Sequence, residues 1–145
     1  MTGDAPDLPT DLSTAAAEAA EAEAARRPIE TAANPDPRID YLVRLDGAVQ
    51  GPDGAAQLRL VFVPDKRILQ AHALPAYLQG LGERGGPASG EPERLALRIL
   101  DDLNDELVPR WLQVTVTTAD GRRVLVEDRQ PKWDDKALLA RVQGL

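Results

Sequence analysis

The chain has 145 residues, enough for one domain with a sizeable core, and a net charge of −7. That charge, without clustered lysines and arginines, excludes nucleic acid and anionic membrane as expected partners. Cysteine is absent and His72 is the lone histidine, which excludes disulfides, thiolate metal sites and thiol nucleophiles and leaves no expected metal site. No run of about 20 apolar residues is present and the N-terminus is acidic, so a cytoplasmic protein with neither membrane span nor signal peptide is expected.

Met1 to Thr10 is rich in proline and small or acidic residues and is expected to lack structure. Ser13 to Arg27 favours helix through alanine and glutamate. Ser13 or Thr14 could cap it, and Pro28 stops it. Its only apolar face is alanine, which predicts a solvated helix or arm. Residues 1–33 thus form an extension, and 34–145 the domain.

From Ile39 the pattern alternates, with Ile39, Tyr41, Val43 and Leu45 on one face of a predicted strand. Pro52-Asp53-Gly54 is turn chemistry. A second strand, AQLRLVFV, puts Leu58, Leu60 and Phe62 on one face. The first core helix is predicted from Ala73 to Gly80, with Leu74, Tyr77, Leu78 and Leu81 inward. A glycine-rich break containing Ser89 follows. The second helix starts near Glu91-Pro92 and turns Ala96, Ile99, Leu100, Leu103 and Leu107 inward. RWLQVTVTT and VLVED read as two strands joined by a turn at Asp120-Gly121. The tail predicts a short helix capped by Asp134 or Asp135. Strand, strand, helix, helix, strand, strand makes an α+β domain, an antiparallel four-stranded sheet with helices on one face.

Three stretches carry a resemblance. RILDDLNDELVPRWLQV (Arg98 to Val114) is similar to the run from second helix to third strand in the 7-cyano-7-deazaguanine reductase family, the nitrile reductases of queuosine biosynthesis. NPDPRIDY (Asn34 to Tyr41) and VFVPDKRILQAHALPAYL (Val61 to Leu78) resemble the segments around that family's first and second strands. The resemblance covers Asn34 to Glu127 and implies a tunnelling fold, whose subunits assemble into rings with sites between subunits. It implies that a glutamate early in the second helix grips a purine- or pterin-like ring; Glu93 falls on that position. A carboxylate suits this role because it accepts two parallel N–H bonds from an amino-pyrimidinone edge.

The resemblance also implies a cysteine that attacks the nitrile and NADPH that reduces the thioimide. The cysteine position falls near Gly47, and no cysteine exists anywhere in the chain. The family's acid lies close to Asp53, for which ordinary Pro-Asp-Gly turn chemistry is the favoured explanation. Ser89 is the one serine near enough to consider as a substitute nucleophile. The cofactor motif corresponds to Gln70, His72, Leu74, Pro75 and Tyr77. His72 and Pro75 stand where two phosphate-holding lysines are implied, so no cofactor is expected although the resemblance implies NADPH. The expectation is a divergent member that has lost nitrile reduction. It binds a purine- or pterin-like molecule, or serves as an assembly or regulatory subunit, in a homo-oligomeric ring. The alternatives are an enzyme using Glu93 with His72 as an acid–base pair and residual reductase activity.

Overall fold

The computed structural model describes residues 8–52, 54–83 and 91–145, with side chains from Thr14 onward. Helix α1 spans Leu8–Arg26. It starts five residues before the predicted cap, so residues 8–10 are helical and the rest of the segment expected to lack structure lies outside the described residues. Side chains 14–21 are exposed, as an alanine face with nothing to bury predicts. Its last turn is anchored to the domain. Ala25 is buried, and Arg26 donates to Glu106 at 3.2 Å.

Two strands of three residues each went unforeseen: β1 (Thr31–Ala33) pairs with β4 (Arg67–Leu69), antiparallel. Three residues are too few for a period of two to show in sequence. Between them lie β2 (Val43–Val49) and β3 (Ala56–Val63). β2 starts four residues later than predicted, because Pro35 and Pro37 carry no N–H and the chain turns instead. Asn34 accepts from the Asp36 amide and the Tyr41 hydroxyl, and the Ile39 amide donates to the Asp36 carbonyl. Ile39 is therefore exposed and not a strand residue.

Helices α2 (Ala73–Glu83) and α3 (Pro92–Leu107) follow, then β5 (Trp111–Thr117) and β6 (Arg123–Arg129). The four long strands form one antiparallel sheet in the order β2-β3-β5-β6. This is the strand, strand, helix, helix, strand, strand unit that the sequence predicts and that the tunnelling-fold resemblance implies. Leu58, Leu60 and Phe62 on β3 and Leu112, Val114 and Val116 on β5 meet the inward faces of α2 and α3 in the main core. Every predicted inward residue of those helices is buried, and Leu95 and Asp102 join them.

The opposite sheet face carries a smaller cluster. Val61, Val63 and Trp111 are buried there beneath Leu42, Trp133, Leu138, Leu139 and Val142. The last three come from helix α4 (Lys136–Leu139) and the 3-10 turn 142–144. Asp135 caps α4, accepting from the Leu138 amide at 3.0 Å. This helix lies across the sheet from α2 and α3, the two core helices that share one face as expected.

Candidate functional site

Glu93 sits in the first turn of α3, which Pro92 opens at a position where its missing N–H costs nothing. Its carboxylate points outward and meets Arg122 in the β5–β6 turn. One guanidinium nitrogen lies 3.4 and 3.3 Å from the two carboxylate oxygens. These are long for charge-assisted bonds, and both side chains are more than half exposed. The turn that presents Arg122 is well built. Gly121 adopts φ +95, and the Arg122 amide donates to the Thr118 hydroxyl. Thr118 in turn donates to the Asp120 carboxylate.

His72 lies in the turn leading into α2. Its Nε2 is 2.7 Å from the Glu30 carboxylate, and both groups are mostly exposed. Gln70 bonds the same segment through its backbone, its amide donating to the Glu30 carbonyl. Thus the structure gives His72 and Glu93 separate carboxylate and guanidinium partners, and does not bring the two together. Leu74 and Tyr77 are buried in the main core, where they bear on folding. The exposed face of α2 holds Pro75 and Ala76 beside His72, with no lysine or arginine between Ile68 and Glu83. Asp53 and Ser89 lie outside the described residues.

Gly47 stands on β2 opposite Leu58. A Cβ built there would lie 2.6 Å from a Leu78 methyl and 3.6 Å from one of Leu74. The position therefore points into the core beneath α2. Gly47→Cys is expected to cost about 1–2 kcal/mol by overpacking. Its thiol should resist labelling by Ellman's reagent in the folded protein and restore no NADPH consumption. Rapid labelling without denaturant would contradict this placement.

Sequence reasoning missed two polar centres. Asp102, 2% exposed, accepts from the Tyr77 hydroxyl at 2.6 Å and from Arg98 at 3.0 Å. Burial first, then the Asp102 charge, pushes the Tyr77 hydroxyl well above the usual tyrosine range, so it stays a donor. The second centre is Arg110, which donates to Asp40, Asp65 and the Pro37 carbonyl at 2.8, 3.0 and 2.6 Å. Gln130 completes it by donating to Asp65 at 3.0 Å, and Trp133 by donating to Asp40 at 3.2 Å. Arg110 lies inside the Pro-Arg-Trp run of the resemblance, and here it is a joint of the fold.

Among the described residues no group of three or more His, Cys, Asp or Glu is placed to hold a metal ion. No described helix is long and apolar enough to cross a membrane.

No protein-family model matches the chain. Individual relatives do. The NADPH-dependent 7-cyano-7-deazaguanine reductase of Nitrosococcus oceani is 31% identical over 119 residues, covering 74% of this chain and 89% of that protein. The enzyme of the same name from Syntrophus aciditrophicus is 30% identical over 136 residues, 86% of this chain and 94% of its own. A third, from Alkalilimnicola ehrlichii, is 28% identical over 116 residues. Those alignments run through nearly the whole length of the relatives, and the core they cover has the element order expected; the chain belongs to the 7-cyano-7-deazaguanine reductase family.

Proposed function

We propose that this chain is a member of the family that no longer reduces a nitrile and that holds a purine- or pterin-like ring through Glu93. The observation that carries the loss is the absence of cysteine from all 145 residues. Without a thiolate the covalent thioimide of the resemblance cannot form. Gly47, the position counted for that cysteine, faces the core, which argues further against a displaced nucleophile there. The surface of α2 that would meet NADPH phosphates carries no cation, which supports loss of the relatives' named cofactor.

Glu93 supports ring binding because its carboxylate is exposed and its contact with Arg122 is long. The N–H pair of an amino-pyrimidinone edge offers it two shorter, parallel bonds in exchange. Thermal shift with guanine, a pterin and 7-cyano-7-deazaguanine tests this. A ligand at 100 times its dissociation constant adds about 2.7 kcal/mol, a rise of roughly 5–10 °C for a chain of this size. Glu93→Ala should abolish that rise. No shift with any of the three, or an equal shift in the variant, refutes ring binding. Steady oxidation of NADPH in the presence of 7-cyano-7-deazaguanine would refute the loss of reduction.

An assembly role for the same protein draws support from the sheet. Its outer strands β2 and β6 each pair on one side only among the described residues. Unpaired strand edges seven residues long can pair with further copies. A homo-oligomeric ring in the cytoplasm is the form we propose, and native mass spectrometry distinguishes it from a monomer.

A further inference from the structure

The sheet face turned away from α2 and α3 is only half covered. Beyond the apolar cluster under α4 it opens into a groove of about 720 Å³, bounded on one side by Val142 and Gln143. That volume is of the size that holds a small ligand. Strand register fixes what lines it. Gln57, Thr117 and Arg123 stand opposite one another across β3, β5 and β6. Two residues along, Asp46, Arg59 and Thr115 form the adjoining row across β2, β3 and β5.

The charges in this groove do not cancel. Arg44 takes both oxygens of Asp46, at 3.2 and 3.0 Å, and also donates to the Leu145 carbonyl. Arg59 is left with one contact to Asp46, at 3.8 Å. Arg123 has no hydrogen-bond or ion-pair partner among the described residues, and the side chains of Gln57, Gln113, Thr115, Thr117 and Gln143 have none either. Two available guanidiniums and five unengaged hydrogen-bonding side chains therefore surround one groove on a protein of net charge −7.

We propose that this groove binds a small molecule through two linked phosphates. Arg59 and Arg123 are two strands and two residues apart, about 12 Å between backbones from ordinary sheet spacings. Both side chains rise from the sheet face that also carries Thr115 and Thr117, so one molecule lying between them is within reach of both. That gap suits a diphosphate group, with one fork on each phosphate and the threonine hydroxyls donating from below. Arginine forks match phosphate oxygens in pairs. No aromatic residue lines the groove, so recognition rests on the phosphates and not on a stacked ring. The acidic remainder of the surface repels extended polyanions while admitting a compact one.

Calorimetry of the full chain with inorganic pyrophosphate at low salt tests the proposal. Saturable binding is expected. Arg59→Ala and Arg123→Ala should each raise the dissociation constant about tenfold, the scale of one charge-assisted pair. The double variant should bind nothing measurable. Arg38→Ala, which removes an exposed positive charge elsewhere, should leave the titration unchanged. Citrate should bind at least tenfold more weakly. No heat with millimolar pyrophosphate, unaltered binding in the double variant, or equal affinity for citrate would each overturn the proposal. Amide shift mapping on the wild-type protein removes dependence on variant folding. Shifts are expected at Gln57, Thr115, Thr117 and Arg123, and shifts confined to Glu93 and Arg122 would assign the anion to the other site and overturn the groove.

Discussion

Arg110→Ala is expected to cost about 3 kcal/mol, the scale of removing one partner from a largely buried ion pair. It should lower the melting temperature by about 10 °C at this chain length. Arg110 is 17% exposed, and its partners Asp40 and Asp65 are 30% and 25% exposed. Removing it takes the charged donor from two part-buried carboxylates, leaving Asp65 with Gln130 and Asp40 with Trp133, and leaves the Pro37 carbonyl without its guanidinium donor. A surface pair would contribute far less. Arg110→Lys should recover only part of the loss, since an ammonium cannot reach three acceptors in a fork.

The pH dependence has a definite sign. The Asp65 carboxyl is held below its ordinary value, first by the Gln130 amide, against burial, and then by the Arg110 charge. A depressed carboxyl pKa contributes stability above the unfolded value, near 3.9, and that stability is lost as pH falls through the folded value. The gap between wild type and Arg110→Ala should therefore narrow below about pH 4. Urea unfolding across that range measures it. A variant within about 1 kcal/mol of wild type at pH 7, the ceiling for exposed pairs, would show that the joint is a surface pair after all.

Tyr77 should show the other large effect. Its ring is fully buried between α2 and the sheet, and truncation to alanine should cost about 4 kcal/mol, from lost burial and the cavity left behind. Tyr77→Phe separates the hydroxyl from the ring. It leaves Asp102 with Arg98 as its remaining side-chain donor and should cost about 2 kcal/mol. In the folded wild-type protein the 295 nm absorbance of tyrosinate should show Tyr77 unionised at pH 11. Equal stability of Tyr77→Phe and wild type would mean that the short bond to Asp102 contributes nothing net.

These two centres mark the limit of what the sequence discloses. Alternation in AQLRLVFV and three-and-four spacing in the second core helix identify their elements and inward faces, because burial there follows the period of the backbone. Asp102 had a detectable signal, since it lies three residues after Ile99 and seven after Leu95 on the buried stripe. It was hidden among Asp101, Asp105 and Glu106, which share its chemistry and face outward or lie half-exposed. Arg110 had no such signal. Its partners lie 45, 70 and 73 residues away, and only the folded chain brings them together. The sequence locates Glu93 in the first turn of the second core helix and His72 just before the first, yet their partners, Arg122 and Glu30, come from other parts of the chain. The groove is equally invisible in sequence. Gln57, Thr115 and Arg123 become neighbours only through the register of three strands.

The loosely anchored α1 has a consequence for how any of these stabilities is read. Its last turn is tied to the domain through Ala25 and Arg26, whereas side chains 15–21 are exposed. Its exposed turns gain almost no stability from packing and can melt on their own. Both tryptophans, Trp111 and Trp133, sit instead in the cluster under α4, against the sheet. Helical ellipticity and tryptophan emission thus follow different cooperative units of one chain. Coincidence of the two probes, the usual licence for two-state bookkeeping, does not apply here. Tryptophan emission is the signal that belongs to the sheet and the Arg110 joint.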